Sequence, residues 1–159
     1  MTNINTIILL IYLILYQKPI QPEVQAVSTP YIQLIDGNEE QNKAVDYLWT
    51  KTHNVDIILT FYGESYLKGD VVHYNKLKDG TIWSKDIGYC QLNSKYHSKF
   101  INSPDFQDIY KQLNYCIDVY TKAIERGTIH TTFYAYDHRF EKRITQHFMI
   151  SPELDKSVR

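Results

Sequence analysis

Between Ser103-Pro104 and Gly127, apolar residues return at helical spacing without interruption: Phe106, Ile109, Tyr110, Leu113, Cys116, Ile117, Tyr120 and Ile124. A stretch this long with one apolar stripe must be covered by other elements, so it predicts a helix at the centre of the fold. Serine as cap and proline in the first turn mark its start, and Gly127 stops it after Glu125. Glu39 to about Lys51 predicts a second helix, with Ala44, Val45, Leu48 and Trp49 on one face. Asn54 can cap a third over about Val55 to Tyr66, where Ile57, Ile58, Phe61 and Ser65 share a face. Two more are expected, from about Ile129 to His138 and from Arg139 to Phe148. Leu67 to Lys78 has no regular pattern, and Lys78-Asp79-Gly80 is a turn. Short strands are expected over Thr81 to Trp83 and Ser84 to Ile87, and Gly88 to Asn93 should lead into a short helix towards Phe100. The fold class is α+β, mostly helical, with a small strand pair beside a cleft.

The ends read differently. Ile7 to Tyr16 is an unbroken apolar run, too short to span a bilayer comfortably but the right length for a signal-peptide core. Val24-Gln25-Ala26 offers small residues for cleavage after Ala26. No Lys or Arg precedes the run and Lys18 follows it, which keeps an uncleaved membrane anchor open as the alternative to export. Pro19, Pro22 and Pro30 make Gln17 to about Ile35 an extended linker, followed by the turn Asp36-Gly37-Asn38. The expected division is a signal peptide or anchor over 1–26, a linker over 27–38, one folded domain over 39–150 and a loose tail over 151–159. The expected location is the periplasm or cell envelope, with any membrane contact confined to the N-terminal segment. A net charge of −1 provides no basic surface for nucleic acid. There is no zinc-type Cys/His spacing and no phosphate-binding glycine loop, so no metal or cofactor is expected.

Two places can carry chemistry. Glu64 follows Phe61 by three residues and Ile57 by seven, which puts it at the border of a buried helical face. Partial desolvation there would raise its pKa, as a general acid working near neutrality requires. A solvated glutamate, or one paired with a lysine, is the plain alternative. The second place is Asp79 to Asn93, which ends in Asp86, Gly88, Gln91 and Asn93. Side-chain amides donate and accept at once, and aromatic rings pack on apolar ring faces, so this composition suits a neutral, ring-shaped ligand such as a sugar. Trp83 is either a sugar platform or a core anchor. Cys90 and Cys116 are the only cysteines, and both a disulfide and two buried free thiols stay open.

Glu64-Ser65, Asn75, Asp79-Gly80, the block Asp86-Ile-Gly-Tyr-Cys-Gln-Leu-Asn93, Asn114 and Ala135-Tyr136 together resemble the lytic transglycosylases of the lysozyme superfamily, in particular their small exported members. The resemblance covers about Val55 to Asp137. It departs from the family pattern at Cys90, where methionine is usual, at Asp137, where asparagine is usual, and at His138-Arg139, which stand for Ala-Gly. It implies a lysozyme-like fold and cleavage of peptidoglycan glycan strands, with a secretion or conjugation apparatus, or a phage, as the setting. Glu64 would protonate the glycosidic oxygen between N-acetylmuramic acid and N-acetylglucosamine, then take the C6 hydroxyl proton to leave a 1,6-anhydro end. Ser65, Gly88, Gln91, Asn93 and Tyr136 would line the substrate site, with the Tyr136 hydroxyl near the Glu64 carboxylate. Asn114 would tie the long helix to the site loop by buried hydrogen bonds. For Ser65 a backbone-bonded hydroxyl, for Asn93 a helix cap, for Gly88 a sharp turn and for Tyr136 a core position are the alternatives; Asp79 and Asp86 are read as structural. A muramidase of the same fold, using water, and an inactive wall-binding module compete as functions.

Overall fold

The computed structural model describes residues 31–152 and residue 154. The apolar run, its cleavage site, the linker to Pro30 and most of the predicted tail lie outside the described residues. In chain order the elements are β1 (Ile32–Leu34), α1 (Glu39–Thr52), α2 (Val55–Ser65), β2 (Val72–Lys76), β3 (Ile82–Ile87), β4 (Leu92–Asn93), α3 (Ser98–Ile101), a 3₁₀ turn (Pro104–Gln107), α4 (Ile109–Glu125), α5 (Ile129–Thr132), a second 3₁₀ turn (Tyr134–Tyr136), α6 (Lys142–Thr145) and β5 (Phe148–Ile150). The class is α+β, with two small antiparallel sheets, β1–β5 and β2–β3–β4.

The core forms where α1, α2 and α4 bring their apolar faces together: Leu48 from α1, Ile58, Leu59 and Phe61 from α2, and Leu113 and Cys116 from α4 are fully buried. Each buried Leu or Ile contributes about 1.5–3 kcal/mol relative to exposure. Asn38 caps α1 in a reciprocal box: its side chain accepts from Gln41 N–H, and the Gln41 side chain accepts from Asn38 N–H. Gln41 Nε2 also donates to the Tyr66 carbonyl at 2.7 Å, which ties the start of α1 to the end of α2. Asn54 caps α2 as expected, accepting from Asp56 N and Ile57 N.

Several expected boundaries are corrected. Residues 31–35 are not linker. Ile32 and Leu34 are buried and pair with Ile150 and Phe148, and Ser151, placed in the loose tail, is buried and donates its backbone N–H to the Tyr31 carbonyl. Apolar residues alternating over three positions are too short a signal beside the preceding prolines. The irregular segment contains β2, and the two short strands expected after the turn are one strand, β3, paired with it from Val72↔Ile87 to Lys76↔Ile82. The central helix begins at Ile109, because Asp108 rather than Ser103 caps it, accepting from Tyr110 N and Lys111 N; Ser103 donates its hydroxyl to the Phe100 carbonyl instead. The two C-terminal helices shrink to α5 and α6. After α5 the backbone is extended at Phe133, and the hydroxyls of Thr131 and Thr132 turn back on the Thr128 carbonyl, in a β-branched and aromatic stretch with weak helix preference. Phe148 is in β5, where its partner is Leu34.

Candidate functional site

Helix α2 ends in the left-handed Tyr66, so Glu64 occupies its last turn, where the negative end of the helix dipole faces it. The side chain is partly buried, as its spacing predicts. Its Oε1 accepts the Ala135 backbone N–H at 2.8 Å. Gly63 permits that approach: a Cβ there would stand 2.7 Å from the Ala135 Cβ and 3.2 Å from Ile144 Cδ1. The sequence signal for this contact was a glycine inside a helix, which costs about 1 kcal/mol and so asks for a packing reason. Burial raises the Glu64 pKa above the ordinary carboxylate value; the Ala135 amide pulls it back, the Asp86 charge pushes it up again, and the Tyr134 backbone lowers it slightly. Of the two plain alternatives, full solvation does not fit the partial burial, and among the described residues no lysine forms an ion pair with Glu64.

Glu64 lines a cleft of about 480 Å³ whose walls include Asp86, Gln91, Asn93, His97, Thr132 and Tyr134. The opposite wall comes from the sheet. Asp86 Oδ1 accepts from Asn93 Nδ2 at 2.8 Å and Oδ2 from Asn75 Nδ2 at 2.8 Å, and both amides also donate to the Ser84 hydroxyl oxygen at 3.0 Å. Asn93 Oδ1 accepts the Lys95 N–H. The amide of Asn93 is therefore spent on holding the sheet and is not free to orient a ligand, although it borders the cleft. Asp86 is structural, as is Asp79, whose carboxylate accepts the Thr81 N–H and shapes the hairpin turn.

Gln91 lies in the cleft in the left-handed region, at φ 50°. Its Nε2 donates to the carbonyls of Gly88 and Val71 at 3.0 and 3.2 Å, so the turn fixes the side chain. Gly88 has φ 82°, and a Cβ there would meet Gln112 Oε1 at 2.4 Å. Of the two roles considered for Gly88, the turn is the one observed, and it is buried away from the cleft. Gln112, missed in the sequence, is itself buried and donates to the Phe106 carbonyl at 2.7 Å.

Three expected placements are corrected. Ser65 is buried and its hydroxyl bonds the backbone, the alternative reading of that residue: it lies 2.6 Å from the Tyr89 carbonyl and 3.2 Å from the Phe61 carbonyl, which fastens α2 to the site loop. Tyr136 is not hydrogen-bonded to Glu64 and does not line the cleft. Its ring stacks under the Arg139 guanidinium at 3.7 Å and meets His130 edge-on, while its carbonyl accepts from Arg139. His130 in turn pairs with Asp137. Arg139 thus holds the Tyr136 ring outside the cleft, and exposed Tyr134 lines the wall instead. Asn114 is exposed and accepts from the Tyr47 hydroxyl at 2.9 Å, joining α4 to α1 rather than to the site loop. Trp83 is exposed and is no core anchor.

Cys90 and Cys116 form a disulfide, with Cα atoms 5.9 Å apart, that staples the cleft floor to α4. His97 borders the cleft, and its Nδ1 lies 3.1 Å from the Tyr115 hydroxyl; burial lowers its pKa. Among the described residues no group of His, Cys, Asp and Glu could hold a metal ion, and no helix is long and apolar enough to cross a membrane. Comparison with protein-family models, with curated proteins and with solved structures yields no match in any of the three.

Proposed function

We propose that this chain is a lysozyme-like lytic transglycosylase that cleaves peptidoglycan glycan strands, with Glu64 as its acid and base. The observation that carries this is the contrast between two carboxyl groups on one cleft. Glu64 is desolvated, with its pKa raised and a single close backbone donor on one oxygen. Asp86 has both oxygens bound by amides. Hydrolysis by retention or inversion uses two working carboxylates, whereas the transglycosylase route needs one.

The chemistry then runs through Glu64 alone. Its carboxylic acid gives a proton to the glycosidic oxygen as the bond to C1 of the muramic sugar breaks. The carboxylate left behind takes the proton of the C6 hydroxyl of that same sugar, whose oxygen closes on C1. The proton count balances and no water is consumed. The Ala135 N–H at Oε1 keeps the carboxyl in one orientation and leaves Oε2 to handle the proton. The cleft volume of about 480 Å³ lies in the range of small-ligand sites. The disulfide supports an oxidising compartment and hence export.

Digestion of purified peptidoglycan by the full chain, beside Glu64→Gln, tests the proposal. Anhydro-muramyl ends released by the native protein and absent with the variant are expected. Reducing ends would make it a muramidase, and wall binding without release would make it a binding module.

A further inference from the structure

The β2–β3 hairpin has two unlike faces. The inner one, carrying Asn75, Ser84 and Asp86, is polar and hydrogen-bonded to itself and to Asn93, next to the cleft. The outer face and the tip carry large apolar side chains that stay half exposed among the described residues. Val72, Tyr74, Leu77, Ile82 and Trp83 are each 40–50% exposed. Val72 and Tyr74 stand opposite Ile87 and Lys85 in the ladder, and Trp83 is the extra residue at the bulge beside Lys76. Leu77 and Ile82 flank the Asp79-Gly80 turn, which the Leu77 N–H to Thr81 carbonyl bond closes at 2.8 Å.

Lysines surround this surface. Residues 76–95 hold four exposed lysines, Lys76, Lys78, Lys85 and Lys95, against two aspartates, in a chain whose net charge is −1. Asp86, one of the two aspartates, points to the inner face. Lys85 Nζ sits over the Tyr74 ring at 5.3 Å, and Lys95 Nζ over the Trp83 ring at 4.2 Å. A tip of Leu and Ile, ringed by Trp and Tyr and then by ammonium groups, grades from apolar to cationic. A soluble polyanion would use the lysines and leave Leu77, Ile82 and Val72 in water, and a glycan strand would use the rings and not the aliphatic side chains. A lipid surface with anionic headgroups matches all three zones.

We propose that the β2–β3 hairpin is a membrane-docking element: Leu77, Ile82 and Trp83 enter the headgroup region of an anionic phospholipid surface, and Lys76, Lys78, Lys85 and Lys95 pair with its phosphates. This holds whatever reaction the cleft performs. Docking by the outer face would leave the cleft, on the inner side, open.

The test uses the full chain with Trp49→Phe, so that Trp83 is the remaining indole. It is mixed with vesicles of phosphatidylcholine alone, or of phosphatidylcholine and phosphatidylglycerol at about three to one, with and without brominated acyl chains. The N-terminal segment is the same in every arm, so the difference between the parent and the double variant below reads the hairpin alone. On anionic vesicles Trp83 emission should shift to the blue and be quenched by bromine. Lipid demand should be at least about tenfold lower than on neutral vesicles and rise with salt. Leu77→Asp with Ile82→Asp, both exposed and harmless to the core, should abolish the shift. Unmoved emission on anionic vesicles, an equal shift on neutral ones, or a shift that survives in the double variant would overturn the proposal. So would the same shift with dextran sulfate and no lipid, which would point to an anionic polymer.

Discussion

The two walls of the cleft treat the same functional group in opposite ways. On the helical wall Glu64 is desolvated, faces a helix C-terminus and has one close backbone donor, so its proton is held at a raised pKa and remains exchangeable. On the sheet wall Asp86 is enclosed by two amides and shares them with Ser84, so it serves as a fastener. The difference teaches that a carboxylate's duty is set by how many donors its surroundings commit to it. Cleft position alone does not assign a role.

The sharpest break of that contrast is Glu64→Gln, which should lower release of anhydro-muropeptides about 10²- to 10⁴-fold while leaving the circular dichroism spectrum unchanged. If Asp86 were the second working carboxylate, Asp86→Asn would cost as much. We expect it to cost less than about tenfold in rate and instead about 1–3 kcal/mol in stability, measured by urea unfolding, because an NH₂ would face the donors of Asn75 or Asn93. Replacing both Cys90 and Cys116 by serine should cost about 3.5 kcal/mol, from loss of a loop with sequence separation 26. It tests whether the cleft floor needs its staple.

A subtler test uses pH. The folded pKa of Glu64 lies above its ordinary value of 4.5, so the folded protein keeps a proton that the unfolded chain has released. Stability should therefore fall as pH rises from about 4.5 through the folded pKa, and the Glu64→Gln variant should lack that fall. Parallel denaturation curves for the two proteins would contradict it. The smallest effect is expected for Tyr136→Phe, under about twofold in turnover, since the hydroxyl is not on Glu64; a loss of tenfold or more would place it in the site after all.

The sequence held more of the helices than of the connections. The faces of α1 and α2 were legible because three-to-four spacing accumulates over many residues, and the border position of Glu64 followed from the same count. β1 was hidden because its partner β5 lies 118 positions along the chain at Ile32↔Ile150, and pairing at that distance leaves no local trace. Asp108 outcompeted Ser103 as a cap for a reason that only backbone geometry shows. At the site the residue types were visible, but their partners were not. Ser65 and Asn93 are polar residues whose capacity is consumed by the fold, at the Tyr89 carbonyl and at Asp86. Tyr136 is drawn to Arg139, whose guanidinium lies over its ring. The disulfide depends on α4 setting Cys116 beside Cys90, a juxtaposition of distant segments that spacing does not encode.

The central claim is that Glu64 acts alone and that the sugar's own C6 hydroxyl replaces water. Digestion of peptidoglycan in ¹⁸O-labelled water, followed by mass spectrometry of the first-formed muropeptides, measures this directly. Ends lighter by one water and free of ¹⁸O are the predicted result. ¹⁸O at C1 of the muramic sugar would contradict it and return attention to Asp86.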